Sequence, residues 1–220
     1  MSDRPALPPT ASVAEPLDGD KLNAPSAVRN VGAIADLLSQ LAPQSGKALE
    51  LASGTGQHVI ALAQRLPDLN WQPTEVDPVR RRSIDAYVTE AALPNVALSR
   101  DLNATARGWA AQFGGQTLIL LSNLLHLITT PQADILISEA AAALAPGGQL
   151  VIYGPFMRGG ELTSDGDIAF HQSLTGENPE IGYKDDFDTL DMMQAAGLEI
   201  AYVIEMPANN LALIASKPSA

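Results

Sequence analysis

Leu49-Glu50-Leu51-Ala52-Ser53-Gly54-Thr55-Gly56 is the stretch on which the reading of this chain turns. A short apolar run at residues 47–52 breaks into two closely spaced glycines, and residues 57–66 then follow a helical apolar period. That order is strand, turn, helix. In an open α/β sheet, ligands bind beyond the carboxyl ends of the strands, where the strand order switches. A first turn with Gly54 and Gly56 lets backbone approach a ligand with no Cβ in the way, and Glu50 brings an acid that can meet a cationic group.

Working outward, the alternation repeats. Strands are expected at 71–75, 96–98, 117–122 and 149–153, and helices at 79–92, 131–144 and 185–196. Upstream, Val28, Val31, Ile34, Ala35, Leu37, Leu38 and Leu41 keep one helical face apolar until Pro43. Strands alternating with helices imply right-handed parallel crossovers and a doubly wound sheet. The end differs, because residues 198–205 and 211–216 have no helix between them. Met206-Pro207-Ala208-Asn209-Asn210 joins them as an antiparallel hairpin turn.

Residues 1–25 hold five prolines and no apolar period, and are expected to form an extended or disordered arm ahead of one domain at 26–220. Residues 158–188 are long, polar and glycine-rich between a strand and a helix, which marks a lid or substrate insertion. The 220 residues carry 13 Lys+Arg against 25 Asp+Glu, a net charge of −12 that repels phosphate backbones, so no nucleic acid partner is expected. With no cysteine there is no disulfide, thiolate nucleophile or Cys-held metal. No apolar run spans a bilayer and no signal peptide opens the chain, so a cytoplasmic protein is expected, as monomer or homodimer. Asp165, Asp167, Asp185, Asp186 and Asp188 lack the spacing of a calcium loop and read as a solvated acidic segment; no metal site is expected.

The ligand choice rests on what surrounds the glycines. A dinucleotide turn wants a small residue three positions after Gly56, whereas Val59 stands there, which argues against NAD. Glu75 ends the second strand about twenty residues on, where a ribose diol is held. Asp77 either shares that contact or caps the helix that begins at Pro78. Asp101, with Leu102, follows the third strand, where an acid can take the amine of adenine; an exposed loop aspartate is the plain alternative.

Taken together, these features resemble a class I S-adenosylmethionine-dependent methyltransferase, and more narrowly the family that contains methyltransferase-like protein 26, long catalogued as a domain of unknown function. The carrying segments are Arg29-Asn30, residues 49–58, residues 69–73, Asn123-Leu124-Leu125-His126, Tyr153-Gly154-Pro155-Phe156 and residues 206–211. The resemblance implies a Rossmann-like, seven-stranded, mostly parallel sheet and S-adenosyl-L-methionine as cofactor, held at Glu50, Ala52, Gly54, Gly56, Glu75 and Asp101. Arg29, Asn30, Ser53, His58, Asp77, Leu102 and Asn123 complete the candidate cofactor set. Thr129-Thr130, Asp167, His171 and Glu75 depart from the family's usual residues, the first three toward the acceptor side.

Methyl transfer by in-line displacement needs positioning more than a covalent nucleophile. Each of the three histidines, His58, His126 and His171, is a possible base near neutral pH. His126, after the fourth strand, and Tyr153, closing the fifth, are the candidate catalytic residues; a buried histidine hydrogen-bonded to backbone is the alternative for His126, while Tyr153 keeps a polar tip that usually finds a partner. His171 reads as a helix-surface residue. The expected activity is methyl transfer to a small molecule; a non-catalytic nucleoside-binding module and an NAD-dependent oxidoreductase are the alternatives.

Overall fold

The computed structural model describes residues 13–219; the expected arm at 1–12 lies outside them. From residue 13 the chain does not run as a bare arm. Strands β1 (Glu15–Pro16) and β2 (Leu22–Asn23) pair antiparallel, and Pro25 opens helix α1 (Pro25–Leu41). This hairpin is tied down: Leu22 N–H donates to Ser83 Oγ at 2.8 Å, Tyr87 Oη donates to Leu22 O, and Ala24 N–H donates to Gln57 Oε1 at 2.7 Å.

The remaining elements are β3 (Gly46–Leu51), α2 (Gln57–Arg65), β4 (Leu69–Glu75), α3 (Pro78–Ala91), β5 (Arg100–Asp101), α4 (Ala110–Phe113), β6 (Gln116–Ser122), a 3-10 turn at Leu125–Leu127, α5 (Thr130–Ala143), β7 (Leu144–Met157), α6 (Asp165–Glu177), β8 (Lys184–Asp185), α7 (Asp186–Ala195), β9 (Glu199–Met206) and β10 (Asn210–Ser216). The main sheet runs β5-β4-β3-β6-β7-β10-β9, with short β8 beside the end of β7. Every pair from β5 to β7 is parallel, and β10 is antiparallel to both of its neighbours. The chain therefore winds one way from β3 to β5 and the other way from β6, so the switch crevice lies between the carboxyl ends of β3 and β6. The expected α/β sheet with an antiparallel C-terminal hairpin is the observed one.

Alternation along each strand builds two cores. Leu49, Leu51, Ile119, Leu121 and Ile152 face one layer, covered by α4, α5 and α7. Ala48, Leu118, Leu120 and Val151 face the other, covered by α1, α2 and α3 through Ile34, Leu62 and Ile84. The third parallel strand expected at 96–98 is displaced. Val96 makes only an isolated bridge to Trp71, Leu98 is exposed, and the ladder forms at Arg100–Asp101 against Thr74 and Glu75. Within 158–188 the chain also forms α6, whose inward face is only Asp167 and Leu174.

Candidate functional site

At the carboxyl end of β3, Glu50 is 1% exposed and neither carboxyl oxygen has a hydrogen-bond partner among the described residues. Burial pushes its carboxyl up to about 8, with Ser53 opposing and the charge of Glu75 adding. An ionised carboxylate there lacks a counter-charge, so it takes either a proton or a cationic ligand group.

The turn that follows is shaped by its neighbours. Ala52 holds a left-handed backbone at φ 50°, and Ser53 bridges the strands, donating its N–H to Thr74 O at 2.8 Å and accepting from Thr74 N–H. The two glycines do different things. A Cβ on Gly54 would meet nothing nearer than Arg80 Nη1 at 3.8 Å, so the space beside it is open. A Cβ on Gly56 would lie 2.8 Å from Ile84 Cα, so Gly56 serves the packing of α3 against the turn. Open space therefore lies beside Gly54, while the bare side of Gly56 faces α3.

Glu75 is buried and already bonded: Oε2 accepts from Gly54 N–H at 3.0 Å, and Oε1 accepts from Val76 and Asp77 N–H. It clasps the glycine turn to the end of β4 and keeps lone pairs for a ligand. Asp77 caps α3, accepting from Val79 N–H at 2.7 Å, as one of its two readings expects. Asp101 is exposed at the sheet edge and paired with Arg81 at 3.1 Å, while Leu102 packs into the core.

A second group links this turn to a neighbouring cleft. His58, buried on the first turn of α2, meets Asn30 Oδ1 through Nε2 at 2.7 Å and approaches Ser122 Oγ through Nδ1 at 3.4 Å. Burial pushes it down to about 4. Tyr153 lines the same cleft as Asn30, and its phenol is raised by burial. Asn123, with a left-handed backbone at φ 54°, continues from Ser122. The cleft has a volume of about 550 Å³, and its walls include Arg29, Asn30, Asn123, His126, Tyr153 and Phe170. Thus Arg29, Asn30, Asn123, His126 and Tyr153 of the candidate set gather here, whereas Glu50, Gly54, Gly56 and Glu75 sit at the turn.

His126 is buried, with Phe170 and Tyr183 edge-on at 5.6 and 6.2 Å. Burial, then the charge of Lys184, pushes it down to about 3. The expectation of histidine bases near neutral pH is therefore corrected: desolvation removes His58 and His126 from that range. His171 is also lowered by burial, and its Nδ1 accepts from Tyr183 N–H at 3.1 Å, so it holds the insertion and is more than a surface residue.

Sequence reasoning missed Tyr183 and Lys184. Lys184 is buried, donates to Ile128 O and Gly182 O, and is pushed down to about 8 by burial. Asp167 accepts from Ser164 Oγ, Thr163 Oγ1, Tyr183 Oη and Asn209 Nδ2. Burial works to raise its carboxyl, but these four donors outweigh it and hold the group below its usual range. Ser164-x-x-Asp167 is a helix-capping signature that could have revealed α6. Nothing local marks Tyr183 or Lys184. Asp185 and Asp186 cap α7 and accept from Gly160 and Gly159 N–H, and no group of three or more potential metal ligands exists among the described residues.

Residues 21–217 match the family described as "Protein of unknown function (DUF938)". The fold is shared with an O-methyltransferase family protein from Burkholderia thailandensis (TM-score 0.76, 21% identity, 89% of this chain and 58% of that one). Human N-acetylserotonin methyltransferase, solved with S-adenosylmethionine, superposes with TM-score 0.72 at 12% identity over 88% of this chain and 53% of its own. An O-methyltransferase family 2 protein from Planctomyces limnophilus, solved with apigenin, gives 0.71 at 19% over 87% and 60%. The chain spans little more than half the length of these structures, and at such identities the likeness is one of fold.

Proposed function

From the premise that this chain belongs to the DUF938 family, we propose that it is an S-adenosylmethionine-dependent methyltransferase acting on a small molecule, with the narrower kinship to methyltransferase-like protein 26 as part of the same reading. One observation carries it: Glu50, buried and unpartnered, stands directly before an open glycine turn at the switch crevice of a methyltransferase-like sheet. The amino-acid end of the cofactor offers an ammonium of the charge that Glu50 lacks, the open side of Gly54 admits backbone-close contact, and Glu75 retains acceptor capacity for the ribose hydroxyls. The residues present fit the group.

When bound, S-adenosylmethionine supplies an electrophilic methyl that leaves its sulfur as the acceptor's lone pair arrives. The chain contributes position. Tyr153 keeps its proton, because burial raises its phenol. His126 stays neutral, so its imidazole orients the acceptor by hydrogen bonding, and the acceptor's proton departs to water rather than to the ring. Residues 158–188 act as a substrate insertion, supplying Phe170 and Tyr183 to the cleft wall.

The test is thermal unfolding of the full chain with S-adenosylmethionine, S-adenosylhomocysteine or NAD, each in excess. A ligand at a hundred times its Kd stabilises by about 2.7 kcal/mol, which a melting curve resolves. Stabilisation by the two sulfur nucleosides and not by NAD is expected. A shift with NAD alone would overturn the reading.

A further inference from the structure

The sign of charge in the cleft is opposite to that of the molecule. The chain carries a net charge of −12, yet among the described residues no Asp or Glu lines the 550 Å³ cleft, and Arg29 is the one formally charged lining residue among them. Arg29 is exposed on α1 and has no ion pair among the described residues, although carboxylates outnumber cations nearly two to one in the sequence. A second cation stands behind the wall: Lys184 Nζ is buried, bonded only to the neutral carbonyls of Ile128 and Gly182, and its charge is felt at His126 and His171. Asp167, the carboxylate that Tyr183 Oη bonds, is engaged by four donors.

The rest of the lining sets rings beside neutral polar groups, Ser26, Asn30, Asn123 and Asn210. Tyr153, Phe170, Tyr183 and His126 form its aromatic part, and Pro155 and Pro207 add apolar faces. Phe170, Tyr183 and His126 brace one another edge-to-face with centroids 5.6–6.2 Å apart, which fixes their planes before any ligand arrives. Rigid rings favour a planar guest, and a lone guanidinium favours one planar anion that can accept two parallel N–H bonds.

We propose that the acceptor is an aromatic acid: a planar ring held among Tyr153, Phe170 and Tyr183, with a single carboxylate on Arg29. This rests on the methyltransferase reading above and narrows its substrate. The carboxylate of S-adenosylmethionine is the other anion that Arg29 can meet. The lining argues for the acceptor, since Arg29 shares the cleft with Phe170, Tyr183 and Pro207 and with none of Glu50, Gly54, Gly56 or Glu75.

The experiment is equilibrium binding to the full chain, saturated with S-adenosylhomocysteine, of 4-hydroxybenzoate and 4-hydroxycinnamate against their primary amides. At least one acid is expected to bind roughly 10-fold or more tighter than its amide, as a charge-assisted pair of hydrogen bonds requires. Arg29→Ala should erase that preference while leaving the melting temperature unchanged, and Arg29→Lys should restore part of it. Equal binding of acid and amide, or no binding of either acid, overturns the proposal. So does an Arg29→Ala effect on S-adenosylhomocysteine alone, which would assign the guanidinium to the cofactor. Acid preference without any binding of S-adenosylhomocysteine would instead sink the methyltransferase reading and leave the anion site standing.

Discussion

Glu50 is the residue at which stability and function oppose each other. Its carboxyl titrates near 8 when folded and near 4.5 as an isolated group, so between those values the folded state holds a proton that the unfolded state has released. Stability of the ligand-free protein therefore falls as pH rises through that window. Each unit of difference corresponds to about 1.4 kcal/mol, so Glu50→Gln should raise ligand-free stability at pH 8 by a few kcal/mol and flatten the slope between pH 4.5 and 8. The same substitution should weaken S-adenosylmethionine by roughly 10- to 100-fold, since the cationic end loses its counter-charge. Urea unfolding across pH, with calorimetric titration of the ligand, checks both halves. An unchanged pH slope would mean that the carboxyl already has a partner in solution.

At the scale of elements, the strand-turn-helix unit assigns its two glycines to different jobs, and substitution separates them. Gly56→Ala puts a Cβ 2.8 Å from the backbone of Ile84 at a φ of +96°, and should cost about 3 kcal/mol from clash and strain combined, by loosening α3 from the turn. Gly54→Ala meets open space at φ +60° and should cost only about 1 kcal/mol, but should abolish binding of S-adenosylmethionine by filling the ligand's side of the turn. Denaturant midpoints and ligand titration of the two variants should give opposite rankings; equal loss of binding with equal stability would undo the distinction. The glycines were legible in the sequence, whereas the reason for Gly56 was not, because its partner Ile84 lies on another helix. The same physics divides the rest of the fold. β3, β6 and α5 bury whole apolar faces and so announce themselves by period. α6 buries only Asp167 and Leu174, and β5 is two residues at a sheet edge, so neither has a period to read. His126 and Tyr153 stood out in the sequence because one follows the apolar run of β6 and the other belongs to the apolar run of β7. Tyr183 and Lys184 reach the site through an insertion whose course is set by the hydrogen bonds of Asp167 and His171, and no local pattern encodes that course.

The whole molecule adds a field that no single residue controls. A net charge of −12 raises the local concentration of cations and lowers that of anions over a distance of about 10 Å at 0.1 M salt. S-adenosylmethionine carries a net positive charge through its sulfonium, whereas S-adenosylhomocysteine is neutral overall and otherwise almost the same in shape. Any contact made by Glu50, Gly54 or Glu75 is common to both ligands, so the difference between their affinities isolates the long-range field and the sulfonium's own surroundings. Added salt screens that field. Raising ionic strength from about 0.02 to 0.5 M, where the Debye length shortens several-fold, should therefore weaken S-adenosylmethionine by roughly 3- to 10-fold while changing S-adenosylhomocysteine little. Titration of both ligands across that range measures it directly. Parallel curves would show that the acidic surface does not reach the crevice, and that the sulfonium's own surroundings alone set any preference for the charged cofactor.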